Sequence, residues 1–193
     1  VIRFPTGKLT PKKVSRMIAK CEACETTLRI KRLRGKWGAP VLFVMSSPSR
    51  KDCTKWKSPL CDQPGSLFHL ILEDVGFDTA KDCVVCCLAN CYQEKVKIAP
   101  RIVTACSDIF EAVYRRHKPK IVVALGTEVA KHLLGGSVPA TIQGRYINWR
   151  GNYLFAFSDP AMIQEDLEAT NFSGKPQPTL TGKSASQRKL TRS

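Results

Sequence analysis

The sequence predicts an α/β fold of three layers, α/β/α, built on a central, mainly parallel four-stranded sheet. Two patterns predict it: four short apolar runs without alternation, and helical periodicities that separate them. Strands that alternate with helices form a parallel sheet covered on both faces, and its strands are therefore apolar throughout. Length agrees, because 193 residues with 43% hydrophobic content can bury the core of one domain.

In chain order, Thr10 and Pro11 supply an N-cap and a first-turn proline ahead of Val14, Met17 and Ile18 at helical spacing. This short helix over 10–20 delivers Cys21 and Cys24 into a loop. The run from Pro40 to Met45 is the first strand, ended by the turn-forming Ser46-Ser47-Pro48-Ser49. Leu67, Leu70, Ile71 and Val75 then recur at helical spacing over 66–75, and Gly76 stops that helix. The unit repeats as strand 84–89, helix 102–117, strand 121–125 and helix 127–134, with 153–157 as the last strand. Ligands of such sheets bind beyond the strand C-termini, which points to 46–52, 87–91, 126–127 and 158–163.

The net charge of +15 is concentrated at the ends. Residues 1–37 hold eleven Lys/Arg against two Glu, and 172–193 hold five against no acid, whereas the middle is nearly neutral. Fold does not require such a distribution, so it speaks to a polyanionic partner, of which nucleic acid is the commonest in a cell. Lys31, Arg32, Arg34 and Lys36, with Lys95, Lys97 and Arg101 of the 93–101 loop, are the candidate phosphate contacts. The expected organisation is a basic segment over 1–37, an α/β domain over 38–171 and a basic tail or linker over 172–193. That tail has no periodicity and too little apolar area to offset the cost of ordering.

No apolar run approaches the roughly 20 residues of a membrane helix, and the basic start lacks a signal-peptide core. An intracellular protein is expected, and the initial Val with the polar tail suggests a processed chain or a segment of a larger one. Nine cysteines in such a chain are ligands or buried apolar groups rather than disulfides. Cys21 and Cys24 form a CxxC, and Cys91 and Cys106 follow, the latter pair too far apart for a zinc ribbon's second CxxC. Four thiolates brought together by folding suit a [4Fe-4S] cubane first, with a zinc ion and unligated thiols as the alternatives. Cys83, Cys86 and Cys87 lie in or beside a strand, where cysteine behaves as a small hydrophobe. Cys53 and Cys61 lie in a loop and carry no signal.

With these elements in place, the chain from about Cys21 to Leu167 resembles the iron-sulfur branch of the uracil-DNA glycosylase superfamily. That family's Gly-Glu-x-Pro-Gly turn reads Met45-Ser46-Ser47-Pro48-Ser49 here, and its Pro-Phe-x-Gly-x-x-Gly segment reads Pro59-Leu60-Cys61-Asp62-Gln63-Pro64-Gly65. Cys91 and Cys106 match its third and fourth cluster cysteines, and Lys118 to Gly126 matches a signature strand. Gly144-Arg145 stands at its Arg-Gly turn, and Asp159-Pro160-Ala161 at its His-Pro-Ser/Ala motif. The resemblance implies a [4Fe-4S] cluster on Cys21, Cys24, Cys91 and Cys106 and a role on DNA, single- or double-stranded, in repair or replication. Phage replication polymerases carry such domains, so it also implies a polymerase or other replication protein as partner.

The pocket residues depart from the family. Ser46 replaces the water-orienting Glu, although Asp52 matches an acid that follows it, and a hydroxyl is no general base unaided. Leu60 replaces the aromatic that stacks on the base, Asp62 the glycine that admits it, and Cys87 the Asn that reads its edge. Asp159 replaces the His that donates to the developing uracil oxyanion, where an ionised carboxylate repels the leaving group. The expectation is a DNA-binding, catalytically degenerate module. The alternatives are a glycosylase of altered base specificity working through Asp52 or Asp159, and a protein-interaction scaffold. Met162 and Ile163 stand where relatives insert an apolar side chain into the duplex. They also suit the first turn of a core-packing helix begun by Asp159-Pro160, which is the favoured reading.

Overall fold

The computed structural model describes residues 10–22, 24, 26–94, 98–136, 138, 142 and 144–173. Its elements are α1 (Pro11–Ala19), β1 (Arg34–Gly35), β2 (Val41–Met45), a π-helical turn (Asp52–Trp56), α2 (Gln63–Asp74), β3 (Cys83–Cys87), α3 (Pro100–His117), β4 (Ile121–Leu125), α4 (Thr127–Leu134), β5 (Tyr146–Trp149), β6 (Asn152–Phe157) and α5 (Pro160–Ser173). The strands form one sheet in the order β1-β3-β2-β4-β6-β5.

The α/β class and the four parallel strands agree with the expectation: β3, β2, β4 and β6 are the four runs read from the sequence, and they pair parallel. The sheet itself corrects it, because antiparallel edge strands β1 and β5 make six. β1 is two residues long, too short to show a period. β5 carries Asn148 in a four-residue run, and its turn is Arg150-Gly151, with φ of 53° and 77°. Two positive φ values define the I′ hairpin turn, but Arg-Gly is not the usual Asn-Gly signal.

Every residue of β2 and β3 is buried, as expected of strands covered on both faces. Right-handed crossovers send α2 and α3 to opposite faces, because β3 and β4 flank β2 on opposite sides. Phe43 accordingly meets Phe68 of α2 edge-on at 5.0 Å, while Trp149 donates to the Leu133 carbonyl of α4 at 2.7 Å on the other face. α2 and α5 pack on one another, and α1 packs on α3 through buried Val14 and Ile18. α2 begins three residues before the sequence periodicity indicates because Asp62 caps it, accepting from Gly65 N at 3.3 Å. No described helix is long and apolar enough to cross a membrane.

Candidate functional site

The strand C-termini converge on the loop after β2, the start of α2, the end of β3 and the start of α5. Asp52 ties this region together. It is 1% exposed, its Oδ1 accepts from Cys61 N at 2.8 Å, and its Oδ2 accepts from Leu60 N at 3.0 Å and Ser49 N at 3.3 Å. Ser49 Oγ accepts the Asp52 N–H in return. Burial pushes the Asp52 pKa up, against the pull of these N–H groups, and Asp62 pushes it the same way. Both oxygens are thus committed to clamping two loops.

The clamped residue, Leu60, has a left-handed φ of 52°, a conformation that costs a branched side chain about 1 kcal/mol or more. Three polar contacts hold it there: the Asp52 carboxylate on its N–H, and Arg34 Nη1 at 2.7 Å and His69 Nε2 at 3.2 Å on its carbonyl. His69 donates as the neutral ring, since burial first and the Arg34 charge second lower its pKa. Arg34 also donates to the Cys61 sulfur at 3.0 Å. Leu60, Asp62 and Cys87, the residues at the motif positions noted in the sequence, are buried, at 2%, 9% and 1% exposed. Burial raises the Cys87 thiol well above its ordinary pKa, with Cys86 and Asp52 adding to it.

Asp159 is half-buried and caps α5, its Oδ1 accepting from Ala161 N at 2.9 Å and its carbonyl from Ile163 N at 3.1 Å. The carboxyl lies over Gly126, whose φ is 100°. Burial chiefly raises the Asp159 pKa, the Ala161 N–H lowers it, and Asp62 and Glu165 raise it further. A raised folded pKa means that the ionised carboxylate opposes folding above that pKa, and that the penalty fades as pH falls through it toward the ordinary 3.8. Asparagine keeps the cap without the charge. Asp159→Asn is expected to raise the melting temperature at about pH 7 and to lose that gain by about pH 4. Thermal melts across this range check it, and a gain independent of pH would contradict the electrostatic cause.

Ser46 and Leu88 line a cavity of about 540 Å³ between α3 and α4. A second cavity of about 300 Å³, almost wholly apolar, lies between α2, α5 and the sheet, and Ile163 lines it. Ile163 therefore packs inward, whereas Met162 is 58% exposed in the first turn of α5. Pro48 is buried at the turn after β2.

The cysteines form a second constellation. α1 ends just before Cys21, whose N–H bonds the Ile18 carbonyl at 3.3 Å. The Arg29 guanidinium gathers the loop by donating to the carbonyls of Cys21, Ala19 and Thr26, and Arg29 forms a β-bridge with Cys91. Cys106 faces inward from the second turn of α3. Cys21, Cys91 and Cys106 are buried and Cys24 is half-buried. Burial and then the nearby Cys24, with Cys106 behind it, push Cys91 up to about 12, against the Arg29 charge. Cys106 is raised by burial and feels Cys21 and Cys24. Among the described residues no three His, Cys, Asp or Glu side chains close on a single metal ion. Asn90, which sequence reasoning passed over although it precedes Cys91, is buried with both amide atoms lacking a hydrogen bond of normal geometry. Its backbone N–H and its amide lie against the Cys106 sulfur and lower that thiol's pKa.

Among the remaining thiols, Cys53, Cys83 and Cys86 are buried and Cys61 is half-buried. Among the basic candidates, Lys31, Arg32, Lys36 and Arg101 are exposed and Arg34 is half-buried under Leu60. The N–H groups of Lys31 and Arg32 both bond the Lys57 carbonyl, at 2.8 and 3.2 Å. Lys95 and Lys97 lie outside the described residues, as do 1–9 and 174–193 of the basic ends.

No curated protein matches the chain. The family model described as the Uracil DNA glycosylase superfamily matches residues 34–176, a span that takes in the whole sheet, Cys91 and Cys106 but not the CxxC. The chain belongs to the uracil DNA glycosylase superfamily.

Proposed function

We propose that this chain is a DNA-binding module of the glycosylase fold that holds a [4Fe-4S] cluster and releases no uracil. The observation that carries the loss of catalysis is the burial of Leu60, Asp62 and Cys87 at the base-binding positions, beneath an Asp52 that spends both oxygens on backbone N–H groups. Cleaving an N-glycosidic bond requires room for an extruded base and donors aimed at its developing anion. Leu60 offers neither donor nor π face, Cys87 is a weak donor, and Asp159 places negative charge where the anion would form.

Cys21, Cys24, Cys91 and Cys106 would hold the cluster. Cys91 feels Cys24 and Cys106, and Cys106 feels Cys21 and Cys24, which supports one group shared by the four thiols. When bound, such a group cross-links the loop after α1 to α3 and takes the place of the thiol protons. Arg29, through the Cys21 carbonyl, and Asn90, through the Cys106 sulfur, would steady the residues that hold it. The same reading, on the resemblance alone, gives the domain an intracellular setting and a replication polymerase or other replication protein as partner, phage systems included.

A specific observation favours one rival. Asp159 is half-buried with a raised pKa, as a base of an altered glycosylase would be. Single-turnover base release from uracil-containing single strands and duplexes, with anaerobically purified protein assayed for iron and sulfide, decides between them. No release together with salt-sensitive DNA binding is expected. Release that Asp159→Asn abolishes would replace this reading with the rival, and protein free of iron would remove the cluster.

A further inference from the structure

The β5–β6 hairpin leaves one sheet face bare, and four aromatic rings lie on it. Along β6 the side chains alternate: Leu154 and Ala156 are buried on one face, while Tyr153, Phe155 and Phe157 point to the other. Register sets Tyr146 of β5 opposite Phe155, and Asn148 opposite Tyr153, on that same face. α5 packs onto α2, so Tyr146, Tyr153 and Phe157 remain 62%, 55% and 48% exposed. The rings form a continuous line. Tyr146 meets Tyr153 edge-on at 5.2 Å and tilts toward Phe155 at 6.0 Å, and Phe155 lies nearly parallel to Phe157 at 6.4 Å.

We infer that this face is a stacking platform for single-stranded nucleic acid that leads along β6 to the crevice. The inference rests on the reading of the chain as DNA-binding, and adds the surface and the form of DNA. Three features select this occupant. Alternate residues of a strand stand about 6.6 Å apart, which lets successive unstacked bases each lie on a ring. The strip mixes these rings with the Tyr146 and Tyr153 hydroxyls and the exposed Asn148 amide, and its segment, 144–158, holds no acid and carries the exposed Arg145, whereas Arg150 turns away to Glu111 at 2.6 Å and to the Trp149 ring. This combination of π faces, polar tips and positive charge matches bases joined by phosphates. Finally, the line has a destination: the Phe157 carbonyl accepts from Gly126 N at 2.8 Å, and Asp159 follows two residues on. A strand lying on the rings is thereby delivered to the place where relatives receive a base.

A second copy of the chain paired along β5 is the competing occupant, and one set of measurements separates the two. Fluorescence anisotropy of labelled oligo(dT) and of a labelled duplex is recorded with the full chain over a salt series. Tyr153→Ala and Phe155→Ala are each expected to weaken oligo(dT) binding about tenfold and to leave duplex binding unchanged. The salt slope stays the same in these variants, because stacking releases no counterions. Tyr153→Phe retains affinity, and Arg145→Gln flattens the single-strand slope by about 0.7. Tyr153 is exposed, so Tyr153→Ala is expected to melt with the parent and its loss is not a loss of fold, whereas Phe155 is half-buried against the core and Phe155→Ala is expected to melt lower while remaining folded at the assay temperature. Variants that bind oligo(dT) as the parent does, or that lose strand and duplex alike, overturn the platform and leave DNA binding standing. A parent that binds no DNA overturns both. Sedimentation that finds a dimer dissolved by Tyr146→Ala gives the face to a second copy and likewise overturns the platform.

Discussion

Gly65→Ala is expected to destabilise the fold by about 3 kcal/mol or to prevent folding. A Cβ at this position would stand 2.2 Å from the Leu60 carbonyl oxygen and 2.3 Å from its carbon, so backbone must move. Leu60 cannot yield, because Asp52 holds its N–H while Arg34 and His69 hold its carbonyl. Gly76 is the control. Its φ is 77° with open space around the added Cβ, so Gly76→Ala meets backbone strain alone and costs about 1 kcal/mol. Urea unfolding of the two variants measures both. Equal costs would show that the Leu60 carbonyl does not press on α2.

On the cluster proposed above, Cys106→Ser is expected to abolish bound iron, which the proposal sets at about four atoms per chain in the parent, and to lower stability by on the order of 3 kcal/mol or more through loss of a group that would bind only the folded state. Segment 10–30 is expected to suffer most, because Val14 and Ile18 would then hold it to α3 without the proposed cross-link. Cys86→Ser is the comparison: Cys86 is as buried as Cys106, its raised pKa, about 12, has burial as its cause, and its thiol neighbour, Cys87, lies outside the proposed ligand set. It is expected to lose packing energy while keeping its iron. Iron analysis with hydrogen exchange over 10–30 reads the difference. Full iron retention by Cys106→Ser would remove Cys106 from the ligand set.

The parallel core was legible in the sequence because strands covered on both faces must be apolar throughout, and Val41–Met45 and Ile121–Leu125 have no other use for such runs. The edge strands were not, since a strand with one neighbour carries less of the core. Arg34–Gly35 is defined by its pairing with Val84 and Val85 rather than by its own composition. Within the site, residue types at motif positions were readable and their engagement was not. Nothing in the order of residues says that Asp52 turns back on Leu60 and Cys61, or that Arg34, read as a phosphate contact, donates to the Leu60 carbonyl. Asp159 was readable as a helix start, because aspartate before a proline caps a helix in any context, whereas the cap at Asp62 went unread because it stands ahead of the apolar periodicity. The aromatic face was half visible: Tyr153, Phe155 and Phe157 alternate, but their partner Tyr146 lay in a strand that went unread.

On the reading proposed above, the closure over Leu60 also fixes the order in which base-binding groups could be introduced. Placing asparagine at Cys87 alone would bury an amide at a position that is 1% exposed, which costs about 1–3 kcal/mol wherever the amide goes unpaired. Leu60 and Asp62 must first be exchanged for residues that reopen the space, and only then does a polar reader or a donor at position 159 have something to act upon. On the proposed reading a single exchange at position 87 is costly and the combined exchanges are less so, an asymmetry that melting temperatures of the single and combined variants read directly.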